Sequence, residues 1–347
     1  MSESIYYDGT KLLSMKDANG EVPEIYICTS NRNAGKTTYF SRLLVNRFLD
    51  KQEKFCLIYR FNYELDDCSK KFFDDIRGLF FRDYVMTNKR PTKNAGYQEI
   101  FLNNIKCGYA IALNQADQIK KASHLLSDTK RMFFDEFQSE NNHYCADEVQ
   151  KLQSVHTSIA RGNFEQVRYL PVYMVGNAVS LLNPYYTALG ISGRLRAETK
   201  FLKGEGFVLE QGYNETAAAA NRGSAFNRAF KNTKYGNYAA ENIYLNDNLA
   251  FIDKPSTKGV YLCTLKCDGS FYGVREYAAE GIIYCDNRPD LTYPLKIAVT
   301  TEDHQINYVM LRRNDEFIQL MKRYYLRGCF RFKDLRAKEA VMKALSY

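Results

Sequence analysis

The sequence lacks the features that would mark an exported or membrane-inserted protein. Its N-terminus, MSESIYYDG, has neither the basic nor the apolar region of a signal peptide. No apolar run approaches the roughly 18 residues that a membrane-spanning helix needs. These absences argue against export and against insertion into a membrane.

Cysteine and histidine show no pattern of a disulfide or metal site. The nine cysteines are odd in number and scattered, and Cys263 and Cys267 are their only close pair. The four histidines form no grouping with metal-ligand spacing. A reducing cytosol fits this usage best, and no internal repeat or low-complexity stretch is evident.

Length and charge leave a broad class open. At 347 residues the chain is long for one core, so two domains are expected. Its 45% hydrophobic and 25% charged residues are typical of a soluble globular protein. The net charge of +8 favours a polyanionic partner, which could be DNA, RNA or an acidic protein.

A strand, a polar loop and a helix are predicted within residues 24–48. The loop matches the Walker A pattern at residues 35–37, Gly-Lys-Thr, but carries Ser30 where the first glycine is usual. Backbone N–H groups and the helix N-terminus can cradle phosphate oxygens here, with Lys36 reaching the β- and γ-phosphates and Thr37 holding Mg²⁺. The predicted nucleotide-binding residues are Ser30, Asn31, Arg32, Asn33, Ala34, Gly35, Lys36, Thr37 and Thr38.

A second motif, KRMFFDEF at residues 130–137, indicates Walker B. Its apolar residues predict a short buried strand that ends in two adjacent carboxylates, Asp135 and Glu136. Asp135 can bind Mg²⁺ through water, and Glu136 can polarise the attacking water. The two motifs together, about a hundred residues apart, predict an NTPase.

Strands alternate with helices around these motifs, which predicts a parallel sheet with helices on both faces. Strands are predicted at 25–28, 55–60, 109–113, 132–134 and 169–175, and helices at 116–126 and 145–160. An additional strand between the motifs and a glutamate beside the Walker B aspartate indicate the ASCE branch of P-loop proteins. Asn177 then occupies a sensor position for the γ-phosphate or the attacking water, although Gly-Asn after a strand is equally typical of a turn.

The rest of the chain changes character. The ATPase domain is predicted over residues 1–195. The basic, glycine-interrupted segment 196–245 is predicted to be a linker. Its basic residues either contact the phosphate backbone of a nucleic acid or form a solvated surface. From residue 258, apolar and polar residues alternate as in β-strands, with a hairpin turn at 267–269. Helical sequence follows, so an α+β domain is predicted over 246–347. Its basic tail could dock nucleic acid.

Taken together, these motifs resemble the DNA-packaging ATPases of phi29-type bacteriophages over most of the chain. The resemblance rests on NRNAGKT at 31–37, FFDEF at 133–137, Asp-Glu-Val at 147–149, Arg161 and NAVSLLNPYY at 177–186. It implies an ATP- and Mg²⁺-dependent motor that translocates double-stranded DNA into a preformed capsid. It also implies a homopentameric ring in the host cytoplasm, docked through a structural packaging RNA to the capsid portal.

The resemblance also assigns two further features. In this family an arginine just past the helix after Walker B acts on the neighbouring subunit's nucleotide, which indicates Arg161, with Arg168 as the runner-up. The C-terminal domain should resemble an RNase H-like nuclease that has lost its catalytic carboxylates. The available carboxylates, Asp253, Asp268, Glu276 and Asp286, show no diagnostic spacing for two metals, so nuclease activity is not expected.

Two other classes of function compete with this interpretation. A different nucleic-acid-dependent P-loop ATPase, such as a helicase or repair motor, should carry single-strand contact motifs between the Walker elements, and none is evident. A slowly hydrolysing, nucleotide-gated scaffold would not need Glu136 and Arg161 at these positions.

Overall fold

The computed structural model describes residues 7–92, 95–140, 143–161, 167–180, 183–191, 194–195, 199–229, 250–311 and 315–346. The chain divides into two compact units. The first comprises Met1–Ser139, His143–Val179 and Arg196–Ile243, and the second comprises Glu140–Asn142, Ser180–Leu195 and Tyr244–Tyr347. Within the described ranges no helix combines the length and apolarity that crossing a bilayer requires.

The first unit alternates strands and helices. Its strands are β1 (Ile25–Ser30), β2 (Lys54–Tyr59), β3 (Met86–Lys89), β4 (Tyr97–Leu102), β5 (Ile105–Ala112), β6 (Thr129–Phe134), β7 (Val172–Asn177), β8 (Phe201–Gly204) and β9 (Phe207–Gln211). Its helices are α1 (Thr10–Ser14), α2 (Lys36–Lys51), α3 (Cys68–Phe80), α4 (Ala116–Lys121), α5 (Glu148–Ala160), α7 (Glu215–Gly223) and α8 (Ala225–Ala229). The short helix α6 (Pro184–Ala188) belongs to the second unit.

The nine strands form one sheet in the order β3-β4-β5-β2-β6-β7-β1-β9-β8. The six strands from β5 to β9 pair in parallel, and antiparallel partners close both edges. β7 lies between the strand before the phosphate loop and the Walker B strand. This is the strand order of an ASCE P-loop NTPase, so the predicted fold class of the first domain is confirmed.

Apolar residues at helical spacing fix α2 against the sheet. Phe40 and Leu44 of α2 are buried in one cluster with Phe133 of β6 and Tyr173 of β7. The rings of Phe40 and Tyr173 lie 5.3 Å apart between centroids. Burial of these side chains, worth about 1.5–3 kcal/mol each, therefore holds the start of α2 at the carboxyl end of the strands.

The predicted linker is partly wrong. Phe201–Gly204 and Phe207–Gln211 form a hairpin that extends the sheet beside β1, and Glu215–Gly223 is helical. Glycine and basic residues suggested a solvated segment, but Gly206, with φ of 72°, makes the tight turn of the hairpin. Residues 196–198 and 230–245 of the predicted linker lie outside the described residues.

The second unit is α+β, as predicted. Its strands β10 (Val260–Cys267), β11 (Ser270–Tyr277) and β12 (Ile282–Asp286) form an antiparallel meander, and β13 (Lys296–Ala298) and β14 (Phe330–Phe332) add in parallel at its two edges. Asp268 and Gly269, both with positive φ, make the predicted hairpin turn. The helices α9 (Glu316–Leu326) and α10 (Leu335–Ser346) share its apolar core with the sheet.

Candidate functional site

The polar residues of both motifs meet at one edge of the large sheet. Parallel strands end at a common edge, and the phosphate loop follows β1 there while Asp135 follows β6. The register of β7 against β1 pairs Asn177 directly with Ser30. The structure therefore brings the Walker A loop, the Walker B carboxylates and the predicted sensor together.

The loop makes its turns without a glycine at position 30. Asn33, with φ of 62°, and Gly35, with φ of 88°, supply its left-handed turns, and asparagine tolerates that region better than most residues. Ser30 is not among the residues with positive φ. A glycine is thus not needed at position 30 for backbone reasons.

Lys36, the first residue of α2, is 5% exposed and turns back into the loop. Its Nζ donates to Ser30 Oγ at 2.9 Å, to Asn31 O at 3.0 Å and to Asn177 Oδ1 at 3.3 Å. Burial lowers the pKa of Lys36, and the charge of Asp135 acts in the opposite direction. The ammonium is surrounded by neutral oxygens, so a phosphate at the loop would gain a strong charge-assisted partner.

Thr37 and the Walker B carboxylates form the second half of the site. Thr37 Oγ1 donates to Asp135 Oδ1 at 3.2 Å, and the backbone N–H of Glu136 donates to the same oxygen at 3.0 Å. Burial and the neighbouring charge of Glu136 raise the pKa of Asp135 to about 6. Hydroxyl and carboxylate oxygens are ligands that Mg²⁺ prefers, so this pair fits the predicted metal site.

Glu136 is exposed and has a φ of 51°. A left-handed conformation in a residue other than glycine costs free energy, of order 1 kcal/mol or more, and such residues cluster at functional sites. The turn directs the chain so that Asp135 faces the loop while Glu136 follows on the exposed side. This separation suits a metal ligand beside a water-orienting carboxylate.

Hydrogen bonds of four asparagines, which the sequence did not reveal, hold the loop against residues 214–221. Asn31 Nδ2 donates to Asn214 O at 3.0 Å, and Asn214 N donates to Asn31 Oδ1 at 2.9 Å. Asn33 Nδ2 donates to Asn221 Oδ1 at 2.9 Å, and Asn221 Nδ2 donates to Arg32 O at 3.3 Å. Helix α7 thus fixes the loop through side-chain amides, which no spacing in the sequence indicates.

Ala34 and Thr38 complete the described contacts of the loop. Ala34 is buried, and its carbonyl accepts the backbone N–H of Tyr7 at 2.8 Å. Thr38 lies in the first turn of α2, which Gly35 precedes as the N-cap. Together with Ser30 and Lys36, these residues put the N-terminus of α2 at the loop, where helix N–H groups attract anions.

The two arginines considered for a trans-acting role differ in burial. Arg161 caps the C-terminus of α5 and its side chain is exposed. Arg168 is 7% exposed, and it donates from Nη2 to Ile159 O at 3.1 Å and from its backbone N to Ala160 O at 3.2 Å. Arg168 therefore satisfies carbonyls at the end of α5, whereas Arg161 is available to a partner.

Among the described residues of the second unit, two of the four candidate nuclease carboxylates form ion pairs. Asp286 is buried and pairs with Arg275 at 2.7 Å, and Asp268 pairs with Lys343 at 2.7 Å. In the part of the chain that the structure describes, one group has metal-ligand spacing: Cys267, Asp268 and Asp303. Asp303 accepts the backbone N–H groups of residues 268 and 269, so its oxygens already fix the hairpin turn.

Comparisons with known proteins agree with this architecture. The family model described as "Podovirus DNA encapsidation protein (Gp16)" matches residues 1–346. The DNA packaging protein of Bacillus phage phi29 is 23% identical over 336 residues, which cover 96% of this chain and 94% of that protein. Among solved structures, "The bacteriophage Phi-29 viral genome packaging motor assembly" aligns with a TM-score of 0.58 at 21% identity, covering 98% of this chain and 100% of its own. "The Phi-28 gp11 DNA packaging Motor" aligns with a TM-score of 0.62 at 16% identity, covering 99% and 98%.

The different burial of the two arginines gives a stability prediction. Arg168→Ala should lower the free energy of unfolding by about 2–3 kcal/mol, because it removes a buried charged donor from the end of α5. Arg161→Ala, the matched control on an exposed side chain, should change it by less than about 0.5 kcal/mol. Urea unfolding followed by circular dichroism measures both, and equal effects of the two substitutions would contradict this assignment.

Proposed function

The chain belongs to the family of podovirus DNA encapsidation proteins (Gp16), and we propose that it is the ATP-hydrolysing ring motor that drives double-stranded viral DNA into a preformed capsid. The family membership confirms the resemblance drawn from the sequence. The observation that carries the enzymatic part is the meeting of Lys36, Thr37, Asp135 and Asn177 at one sheet edge. The packaging proteins of related phages, to which the chain is similar over nearly its whole length, support the role in packaging.

In this proposal the loop residues 30–38 bind the triphosphate of ATP. The N–H groups at the start of α2 and the buried ammonium of Lys36 neutralise the β- and γ-phosphates. Thr37 and Asp135 hold Mg²⁺, which supplies charge neutralisation across the phosphates when it is bound. The hydrogen bond between their oxygens supports this placement, since both face one point beside the loop.

Glu136 orients the attacking water, and Asn177 senses the γ-phosphate. The amide of Asn177 already contacts Lys36, so a change at the phosphates reaches β7 through one hydrogen bond. Arg161 supplies its guanidinium to the nucleotide of the neighbouring subunit, where it stabilises charge that develops during phosphoryl transfer. Its exposure at the end of α5 supports a role outside its own subunit.

We assign the partners by the same resemblance. The motor is a homopentameric ring around double-stranded DNA, docked through a structural packaging RNA to the capsid portal in the host cytoplasm. The second unit binds nucleic acid and does not cut it. In support, Asp286 and Asp268 are paired with Arg275 and Lys343, and Asp303 accepts backbone N–H groups. A helicase or repair-type motor is the alternative, and it should act on DNA without a capsid.

The role of Glu136 is tested by Glu136→Gln. The amide keeps the size of the side chain but loses its basicity, so ATP affinity should stay within about twofold while turnover falls by about a hundredfold or more. Equilibrium binding of a fluorescent ATP analogue and steady-state hydrolysis with DNA and procapsids measure the two quantities. Glu205→Gln, an exposed control in the first unit, should change neither, and unchanged hydrolysis in Glu136→Gln would move the catalytic role elsewhere.

The raised pKa of Asp135 predicts a pH dependence of metal binding. With a pKa of about 6, the carboxyl is largely ionised at pH 7.5 and largely protonated at pH 5.5. The apparent affinity for Mg²⁺ with ATP should therefore weaken about fourfold between these values as the pH falls. Titration with Mg²⁺ at fixed ATP measures this, and Asp135→Asn should bind Mg²⁺ more weakly and lose the part of the pH dependence that Asp135 causes. An equal pH dependence in both proteins would assign it to the nucleotide.

The trans role of Arg161 is tested by mixing two inactive variants. Arg161→Ala subunits should bind ATP normally and hydrolyse it roughly a thousandfold more slowly. Mixed with Lys36→Ala subunits they should regain activity, because some interfaces then combine an intact phosphate loop with an intact arginine. Sedimentation must show that the mixture assembles. An assembled mixture that stays as inactive as either variant alone would exclude a trans-acting Arg161.

A further inference from the structure

Arg60, which directly follows β2, carries a buried guanidinium beside the Walker B turn. The residue is 8% exposed and was not singled out by any sequence motif. Its Nε donates to both carboxylate oxygens of Glu148, at 2.8 and 3.0 Å, and its Nη2 donates to Phe137 O at 2.8 Å. The guanidinium also lies over the rings of Phe134 and Tyr144, with centroids 5.4 and 5.0 Å from its Cζ.

The Glu148 carboxylate joins this cluster to helix α5. Glu148 is 3% exposed and is the first residue of α5, where negative charge favours the positive end of the helix dipole. It also accepts the backbone N–H of Cys145 at 2.8 Å. The preceding residue, Asp147, has a φ of 53°, so the chain turns sharply into the helix at this point. Glu148 therefore fixes where α5 begins.

Arg60 also contacts the backbone of Glu136, the proposed catalytic residue. Its Nη1 reaches Glu136 O at 3.5 Å, and its bond to Phe137 O fixes the next peptide. Glu136 has the left-handed φ of 51° that costs free energy and needs support from its surroundings. Phe137 N adds a bond to Val175 O at 3.3 Å, which ties the same turn to β7.

Helix α5 carries this connection to Arg161. Its 13 residues span about 20 Å from Glu148 to the C-cap, which is Arg161. The helix is anchored along its length by buried Leu152, Val155 and Ile159. A regular helix transmits a shift of its first turn to its last, because its hydrogen bonds resist local deformation. Movement of Glu148 would therefore also move Arg161.

We propose that Arg60 is a positioning residue that couples the catalytic glutamate of one subunit to the arginine which that subunit offers its neighbour. The inference rests on the proposed roles of Glu136 and Arg161. The same guanidinium fixes the Glu136 turn and, through Glu148, the start of α5, so the two elements cannot shift independently. Only arginine can do this, since its planar fork supplies several donors in fixed directions while lysine has one ammonium.

The first test separates positioning from binding. Arg60→Lys should leave the dissociation constant of an ATP analogue within about twofold and lower kcat between about tenfold and a hundredfold, because the carboxylate is misplaced but the phosphate loop is intact. Arg90→Lys is the matched control, because Arg90 pairs with Asp66 at 3.2 Å in the same unit and lies outside both Walker motifs. It should keep kcat within about twofold.

The second test distinguishes coupling from a local effect. Arg60→Lys subunits are mixed with Arg161→Ala subunits, so that some interfaces combine an intact loop and Glu136 with the arginine of an Arg60→Lys subunit. Coupling predicts no regain of activity there, because that arginine is displaced. Regained activity would show that Arg60 acts on Glu136 alone and would overturn the coupling.

The reference mixture of Arg161→Ala with Lys36→Ala keeps the outcomes distinct. If the reference mixture regains no activity, the trans role of Arg161 is refuted, and the proposed coupling with it. The kcat of Arg60→Lys then still decides whether Arg60 positions Glu136. A kcat equal to that of the parent would overturn the proposal as a whole. If Arg60→Lys fails to fold, Glu148→Gln replaces it in both tests, because it keeps the size of the side chain and removes the ion pair.

Discussion

The parallel pairing of β7 with β1 on one side and β6 on the other is the constraint on which the site depends. It brings Lys36, Asp135 and Asn177 to one edge although the first and last of them are 141 residues apart. Because strand register sets which residues reach that edge, a shift of one residue in β7 would turn the side chain of Asn177 to the opposite face of the sheet. Core packing of α2 and the strands therefore supports the chemistry directly, since it fixes this register.

Two buried cations at this edge are satisfied in different ways. Lys36 is surrounded by neutral oxygens and keeps a lowered pKa, so an anion at the loop would relieve the cost of its burial. Arg60 is already neutralised by the carboxylate of Glu148. A buried ion pair of this kind adds little net stability, but breaking it leaves an uncompensated charge. The first cation is suited to ligand binding and the second to holding structure in place.

The segment after residue 196 shows where composition misleads. Glycines and basic residues predicted a linker, yet β8 and β9 complete the sheet and α7 braces the phosphate loop. The two strands have only four and five residues, which is too short for a clear period-two pattern. The asparagines 214 and 221 would be ordinary turn or cap residues in a sequence. Their contacts with the loop depend on how β9 lies beside β1.

The sequence by itself determined the phosphate loop, the Walker B strand, the α/β class of the first domain and the α+β class of the second. These features are encoded by contiguous residues whose spacing and chemistry are local, so the pattern survives without knowledge of the fold. Tertiary structure alone decided that Arg168 is buried at the end of α5 while Arg161 is exposed, and that Arg60 pairs with Glu148, 88 residues away. Burial and ion pairing depend on which distant segments pack together, and an arginine in a sequence is compatible with either outcome.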